Sequence, residues 1–179
     1  MAGHVIISHG LESSPDANKA TALAGVAAAL GWSHERPDYR DLDASGELGD
    51  VEGRIRRLVE RARQAPRQPL VLAGSSLGAF ISGHASLQVP VRGLFLMAPP
   101  VALRSPPPAL AEPPPLLAAG VPTRIIHGWE DELIPALAVV RWAEQRRDHL
   151  VLVPDRHRLE GHVRFCAEEF GRFLQSLPA

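Results

Sequence analysis

The chain has 179 residues, 45% of them hydrophobic, which is enough for one packed core and short for two. Its formal net charge of -1 argues against a polyanion-binding protein, and no apolar run approaches membrane-spanning length. The single cysteine, Cys166, cannot form an internal disulfide and falls at an apolar position, as expected of a small core residue.

In chain order, short apolar runs alternate with segments of helical period, the pattern of a parallel sheet flanked by helices. Strands are expected near residues 3–8, 33–37, 70–74, 92–97, 122–127 and 149–153. The alanine-rich segment Pro15 to Leu30, closed by Gly31, reads as the first helix. A second follows from Val51, Ile55, Leu58, Val59 and Ala62, which recur at helical spacing. Arg54, Arg56, Arg57, Arg61 and Arg63 lie in that segment and are expected to form its solvated face. A helix is expected after Pro135, and Val163, Cys166, Ala167, Phe170, Phe173, Leu174 and Leu177 mark a last one.

Residues 99–115 break the alternation. They hold eight of the 17 prolines, including two triplets, so a stiff extended connector is expected there.

The third strand runs into Gly74-Ser75-Ser76-Leu77-Gly78 and then into a helix. A serine at the centre of such a strand-to-helix turn is held above the sheet edge, and glycines two positions either side let the backbone pass. Ser76 is therefore a candidate nucleophile, with the Leu77 N–H at the helix start placed to meet an oxyanion.

Active sites of such sheets lie at the carboxyl ends of the strands. After the first strand comes His9-Gly10-Leu11; after the fifth, His127-Gly128-Trp129-Glu130-Asp131-Glu132; after the sixth, Pro154-Asp155-Arg156-His157-Arg158-Leu159, followed by Gly161-His162. The carboxylates Glu130, Asp131 and Glu132 and the histidines His157 and His162 are all candidate partners for Ser76. His9 and His127 read as loop-packing hydrogen-bond donors, and His4, His34, His84 and His149 as ordinary surface or core residues. No metal-ligand spacing is present. A doubly wound nucleotide-binding domain is disfavoured, because neither G-x-G-x-x-G nor G-K-[ST] follows the first strand.

With the elbow, the strand-end H-G-x-x-D and the order Ser, Asp, His in place, the chain resembles the α/β-hydrolase superfamily, and within it the small bacterial esterase-like members without a lid. The resemblance spans Val5 to Leu177. It implies a reduced, single-domain α/β fold over 1–179: a mostly parallel sheet of about six strands with helices on both faces, and the proline-rich loop 99–115 in place of a lid. It also implies a carboxylesterase-like serine hydrolase cleaving small soluble esters through an acyl-enzyme. In that reading Ser76 is the nucleophile, Asp131 the acid selected by the H-G-x-x-D spacing, and His157, in D-R-H-R-L, the base. The N–H groups of Leu77 and Leu11 form the oxyanion hole. The spacing of Val163, Cys166 and Phe170 puts His162 at the start of the last helix and turns it away from Ser76. A thioesterase or amidase of the same fold, or an inactive binding protein, are the alternatives. The elbow serine disfavours relatives with aspartate or cysteine nucleophiles. No cofactor, metal, nucleic acid or membrane is expected to take part, and a cytoplasmic location is the expectation.

Overall fold

The computed structural model describes residues 2–44, 48–66, 68–104 and 114–178. Six strands form one sheet: β1 (His4–Ser8), β2 (Ser33–Glu35), β3 (Leu70–Ser75), β4 (Gly93–Met97), β5 (Thr123–Gly128) and β6 (His149–Val153). They pair in the order β2-β1-β3-β4-β5-β6, and every pairing is parallel. The helices are α1 (Asn18–Ala29), α2 (Arg40–Asp43), α3 (Val51–Arg63), α4 (Leu77–Ser86), α5 (Ala136–Arg146) and α6 (Val163–Ser176), with a 3-10 turn at Glu160–His162.

β3 and β4 are nearly continuous apolar runs because both sheet faces are covered. Val5, Ile7, Val71, Ala73, Phe95 and Ile126 pack with Leu23 and Ala27 of α1 and Phe170 and Leu174 of α6. The intervening residues Ile6, Leu72, Leu94, Leu96 and Ile125 pack with Leu58 of α3, Ile81 of α4 and Val139 of α5. Each fully buried aliphatic or aromatic side chain contributes roughly 1.5–3 kcal/mol, so these two layers dominate the stability. Cys166 lies within the first layer, and burial pushes its thiol up to about 11.

From β1 the chain moves outward to β2, then returns past β1 to β3. Right-handed crossovers require the helices of those two steps to lie on opposite faces, and α1 and α3 do. The loops leaving β1 and β3 therefore part in opposite directions and open a crevice at the sheet's carboxyl edge.

Several expectations shift. The first helix begins at Asn18 rather than Pro15, since Asp16 and Ala17 belong to a turn closed by Ala17 N–H donating to Ser14 O at 3.1 Å. β2 ends at Glu35, a half-buried edge strand stopping ahead of Pro37, which has no N–H for a ladder. The short helix α2 had no periodicity to announce it. In α3, Arg56, Arg61 and Arg63 are exposed and Arg57 half-buried, but Arg54 is 0% exposed, so the expected solvated face does not include it. Positions 51, 54, 55, 58, 59 and 62 form one helical stripe, and Arg54 occupies a core position within it. Of the proline-rich stretch, 105–113 lie outside the described residues.

Candidate functional site

β3 leads directly into Ser76, whose backbone sits at φ 54° and ψ -120°, a conformation that non-glycine residues rarely adopt. The surrounding structure enforces it. Ser76 N–H donates to Met97 O at 2.9 Å, and Ser76 O accepts from the N–H groups of Ala79 and Phe80 at 2.8 and 3.1 Å. A Cβ on Gly74 would lie 2.2 Å from Gly78 O, and one on Gly78 would lie 2.1 Å from Ser8 O. Both glycines of the elbow are thus required by backbone contact, first with each other and then with β1.

The loop after β6 brings His157 to Ser76. His157 Nε2 is 2.9 Å from Ser76 Oγ, and Nδ1 is 2.8 Å from Asp131 Oδ2. Asp131, in the loop after β5, is 1% exposed, and its Oδ1 accepts from Leu133 N–H at 2.9 Å and Ile134 N–H at 2.7 Å. Burial pushes the Asp131 carboxyl up, but the hydrogen bonds from His157 and from the Ile134 and Leu133 N–H groups outweigh it and hold the group below the usual carboxylate range. An ionised carboxylate only accepts, which assigns the ring proton to Nδ1. Nε2 is then left to accept from the Ser76 hydroxyl.

The loops carrying Asp131 and His157 are fitted to each other. A Cβ on Gly128 would lie 2.2 Å from Asp155 O, while Trp129 N–H donates to Val153 O at 2.9 Å and Glu130 N–H to Asp155 O at 3.0 Å. His157 N–H donates to Glu132 Oε2 at 3.1 Å. Glu132 thus supports the imidazole loop through its backbone, while the ring itself contacts Asp131.

Three other histidines of these loops hydrogen-bond elsewhere, although His127 also approaches Asp131. His162, at the boundary between the 3-10 turn and α6, places Nδ1 2.8 Å from Asp155 Oδ2. His127 Nε2 donates to Ile134 O at 3.2 Å and lies 3.6 Å from Asp131 Oδ2; burial holds its pKa below the ordinary imidazole value. His9 packs in the first loop, with Nδ1 donating to Gly10 O at 2.8 Å and Nε2 accepting from Tyr39 N–H at 3.1 Å. Leu11 lies in the turn that follows, and Leu77 opens α4, where first-turn N–H groups have no intrahelical carbonyl. Among the described residues, no group of three or more His, Cys, Asp or Glu side chains is arranged to hold a metal ion, and no helix is long and apolar enough to cross a membrane.

Sequence reading missed Arg54 and Tyr39, which lie behind the first loop. For Arg54 the signal is an arginine at a stripe position of an amphipathic helix, a place where charge must be paired.

No protein-family model matches the chain, and no curated protein sequence matches it. Solved structures do. A Xanthomonas campestris pv. campestris protein assigned to the alpha/beta superfamily of hydrolases is 54% identical, with a TM-score of 0.91, covering 98% of this chain and 99% of that one. A lidless a/b serine hydrolase from Xanthomonas campestris shares the fold at 24% identity, with a TM-score of 0.74 over 100% of this chain and 85% of that one. A Pyrococcus furiosus esterase does so at 18% identity and a TM-score of 0.80, over 99% and 82%. With the elbow fold, the all-parallel sheet and a 54% identical relative matched end to end, the chain belongs to the α/β-hydrolase superfamily.

Proposed function

We propose that the protein is a serine hydrolase that cleaves small soluble carboxylic esters through an acyl-enzyme. The observation that carries this reading is the unbroken contact from Ser76 Oγ to His157 Nε2, at 2.9 Å, and from His157 Nδ1 to Asp131, at 2.8 Å, on a turn held at positive φ. A serine hydroxyl is a weak nucleophile until a base takes its proton. In this mechanism His157 Nε2 accepts that proton as Ser76 Oγ attacks the acyl carbonyl. Asp131 stabilises the imidazolium, and the N–H groups of Leu77 and Leu11 receive the oxyanion. His157 then returns the proton to the departing alcohol, and water enters by the same route in reverse to release the acid.

Small soluble esters are favoured because residues 98–122, between β4 and β5, are too few for the helical cap that larger relatives insert there. Ser76→Ala is expected to reduce kcat on a short-chain activated ester by ~10⁴-fold or more with the fold intact. A folded Ser76→Ala protein retaining most of its turnover would refute the reading.

A further inference from the structure

Among the described residues Arg54 is the largest fully buried side chain, and its hydrogen bonds go to the first loop and to Asp43 rather than to the core around it. Its Nε and Nη2 donate to the two carboxylate oxygens of Asp43, at 2.7 and 2.6 Å. Its Nη1 donates to His9 O at 3.0 Å and its Nη2 to Gly10 O at 3.3 Å. The guanidinium also lies 4.8 Å from the centroid of the Tyr39 ring, whose hydroxyl is 3.0 Å from Ser8 Oγ at the end of β1.

The Gly10 carbonyl receives a second donor, His9 Nδ1–H at 2.8 Å. Because His9 Nε2 accepts from Tyr39 N–H, the proton must sit on Nδ1, so the His9 ring is neutral and fixed in one tautomer. Burial, by holding the His9 pKa down, maintains that state.

The geometry of a trans peptide makes this consequential. The C=O of Gly10 and the N–H of Leu11 belong to one planar unit and point in opposite directions, so donors that clamp the carbonyl dictate where the N–H points. A cationic donor on the carbonyl also polarises the unit and strengthens its N–H as a donor. The loop abuts the elbow: a Cβ on Gly10 would lie 3.4 Å from Ser76 Cβ.

We propose that Arg54, charge-balanced by Asp43, is a positioning residue for turnover at Ser76: it clamps the Gly10–Leu11 peptide so that the Leu11 N–H is aimed and polarised for the oxyanion. This rests on the serine-hydrolase reading above. A role in stability alone would not need an arginine, because a buried ion pair is often replaceable by apolar residues without loss of stability. Two forked donors directed at consecutive carbonyls do need one.

The test uses the double variant Arg54→Met/Asp43→Leu, which removes both charges together, and Arg54→Lys, which keeps the charge but loses the fork. Active sites are counted by exhaustive titration with a fluorophosphonate, and the modified residue is mapped in the unsubstituted protein. In the double variant, kcat on p-nitrophenyl acetate per titrated site is expected to fall between about 10- and 100-fold. That is less than the 10²–10³-fold of losing an oxyanion donor outright, because His9 still holds the Gly10 carbonyl. KM should change little, the pH midpoint of kcat should not move, and affinity for a trifluoromethyl ketone should fall by the same factor as kcat/KM. Arg54→Lys should lie between the double variant and the unsubstituted protein, and it decides alone if the double variant does not fold. A kcat per titrated site within about twofold of the unsubstituted protein would overturn the role of Arg54. Failure of the unsubstituted protein to label at Ser76 would instead overturn the hydrolase reading beneath it.

Discussion

Gly78 of α4 is pressed against the end of β1 so closely that a Cβ on it would come within 2.1 Å of Ser8 O and 2.7 Å of Ser8 C. Backbone cannot yield there as a flexible side chain would, so the helix that begins at the nucleophile is seated on the strand that begins the first loop. Gly78→Ala is therefore expected to destabilise by at least ~1–3 kcal/mol, the usual cost of overpacking, and to lower kcat by separating Ser76 from the first loop. Gly25, in the exposed middle of α1, has nothing within 4 Å of its would-be Cβ, and Gly25→Ala should stabilise by ~0.5–1 kcal/mol. Urea denaturation of the two variants checks both signs. Equal effects would mean that the contact at Ser8 is relieved by small shifts.

Either histidine after β6 was a reasonable base by position, and only His157 touches Ser76. His157→Ala should lower kcat by about three orders of magnitude or more. His162→Ala loses the contact to Asp155, which fastens the turn ahead of α6, and is expected to cost ~1 kcal/mol of stability with kcat largely kept. Parallel kinetics on one ester discriminate them, and the larger loss at His162 would contradict the assignment.

The sheet, the elbow and the order of strand-end residues were legible because each is a local pattern: continuous apolar runs for strands buried on both faces, and glycines where backbone meets backbone. The choice between His157 and His162 depended on more than spacing. Leu159 adopts the left-handed conformation at φ 53° and the next three residues tighten into a 3-10 turn, which delivers His162 to Asp155. Arg54 was misread because charge runs usually mark solvent, and its partners Asp43, His9 O and Gly10 O come from other elements. Its position in the apolar stripe of α3 is the one local sign of its burial.

Stability should depend on pH in two windows. Burial lowers the pKa of His4, His9 and His127 below the ordinary imidazole value. Below about pH 6.5 the unfolded chain therefore binds protons that the folded one refuses, and stability falls as pH falls, by at most ~1.4 kcal/mol per pH unit for each such group. Asp131 and Asp155 are depressed carboxylates whose contribution is present above the unfolded carboxylate pKa and is lost only as pH falls through their folded values, a second and more acidic window. Tm measured from pH 7.5 to 3 should decline in both windows. A flat Tm between pH 7.5 and 5 would show that the buried imidazoles take up protons without penalty.

Turnover should follow ordinary saturation with soluble esters and show no jump when a longer ester passes its solubility limit, because the chain between β4 and β5, residues 98–122, is short for a helical cap that an interface would open. A sharp rise at the solubility limit would require another mobile cover over Ser76.

The most direct test of Ser76 as an activated nucleophile is covalent. A fluorophosphonate should react with one residue of the native protein, mapped by peptide mass spectrometry to Ser76, and the adduct should be absent in Ser76→Ala and strongly slowed in His157→Ala. No labelling of the native protein, or labelling that persists at another residue in Ser76→Ala, would contradict the proposed function.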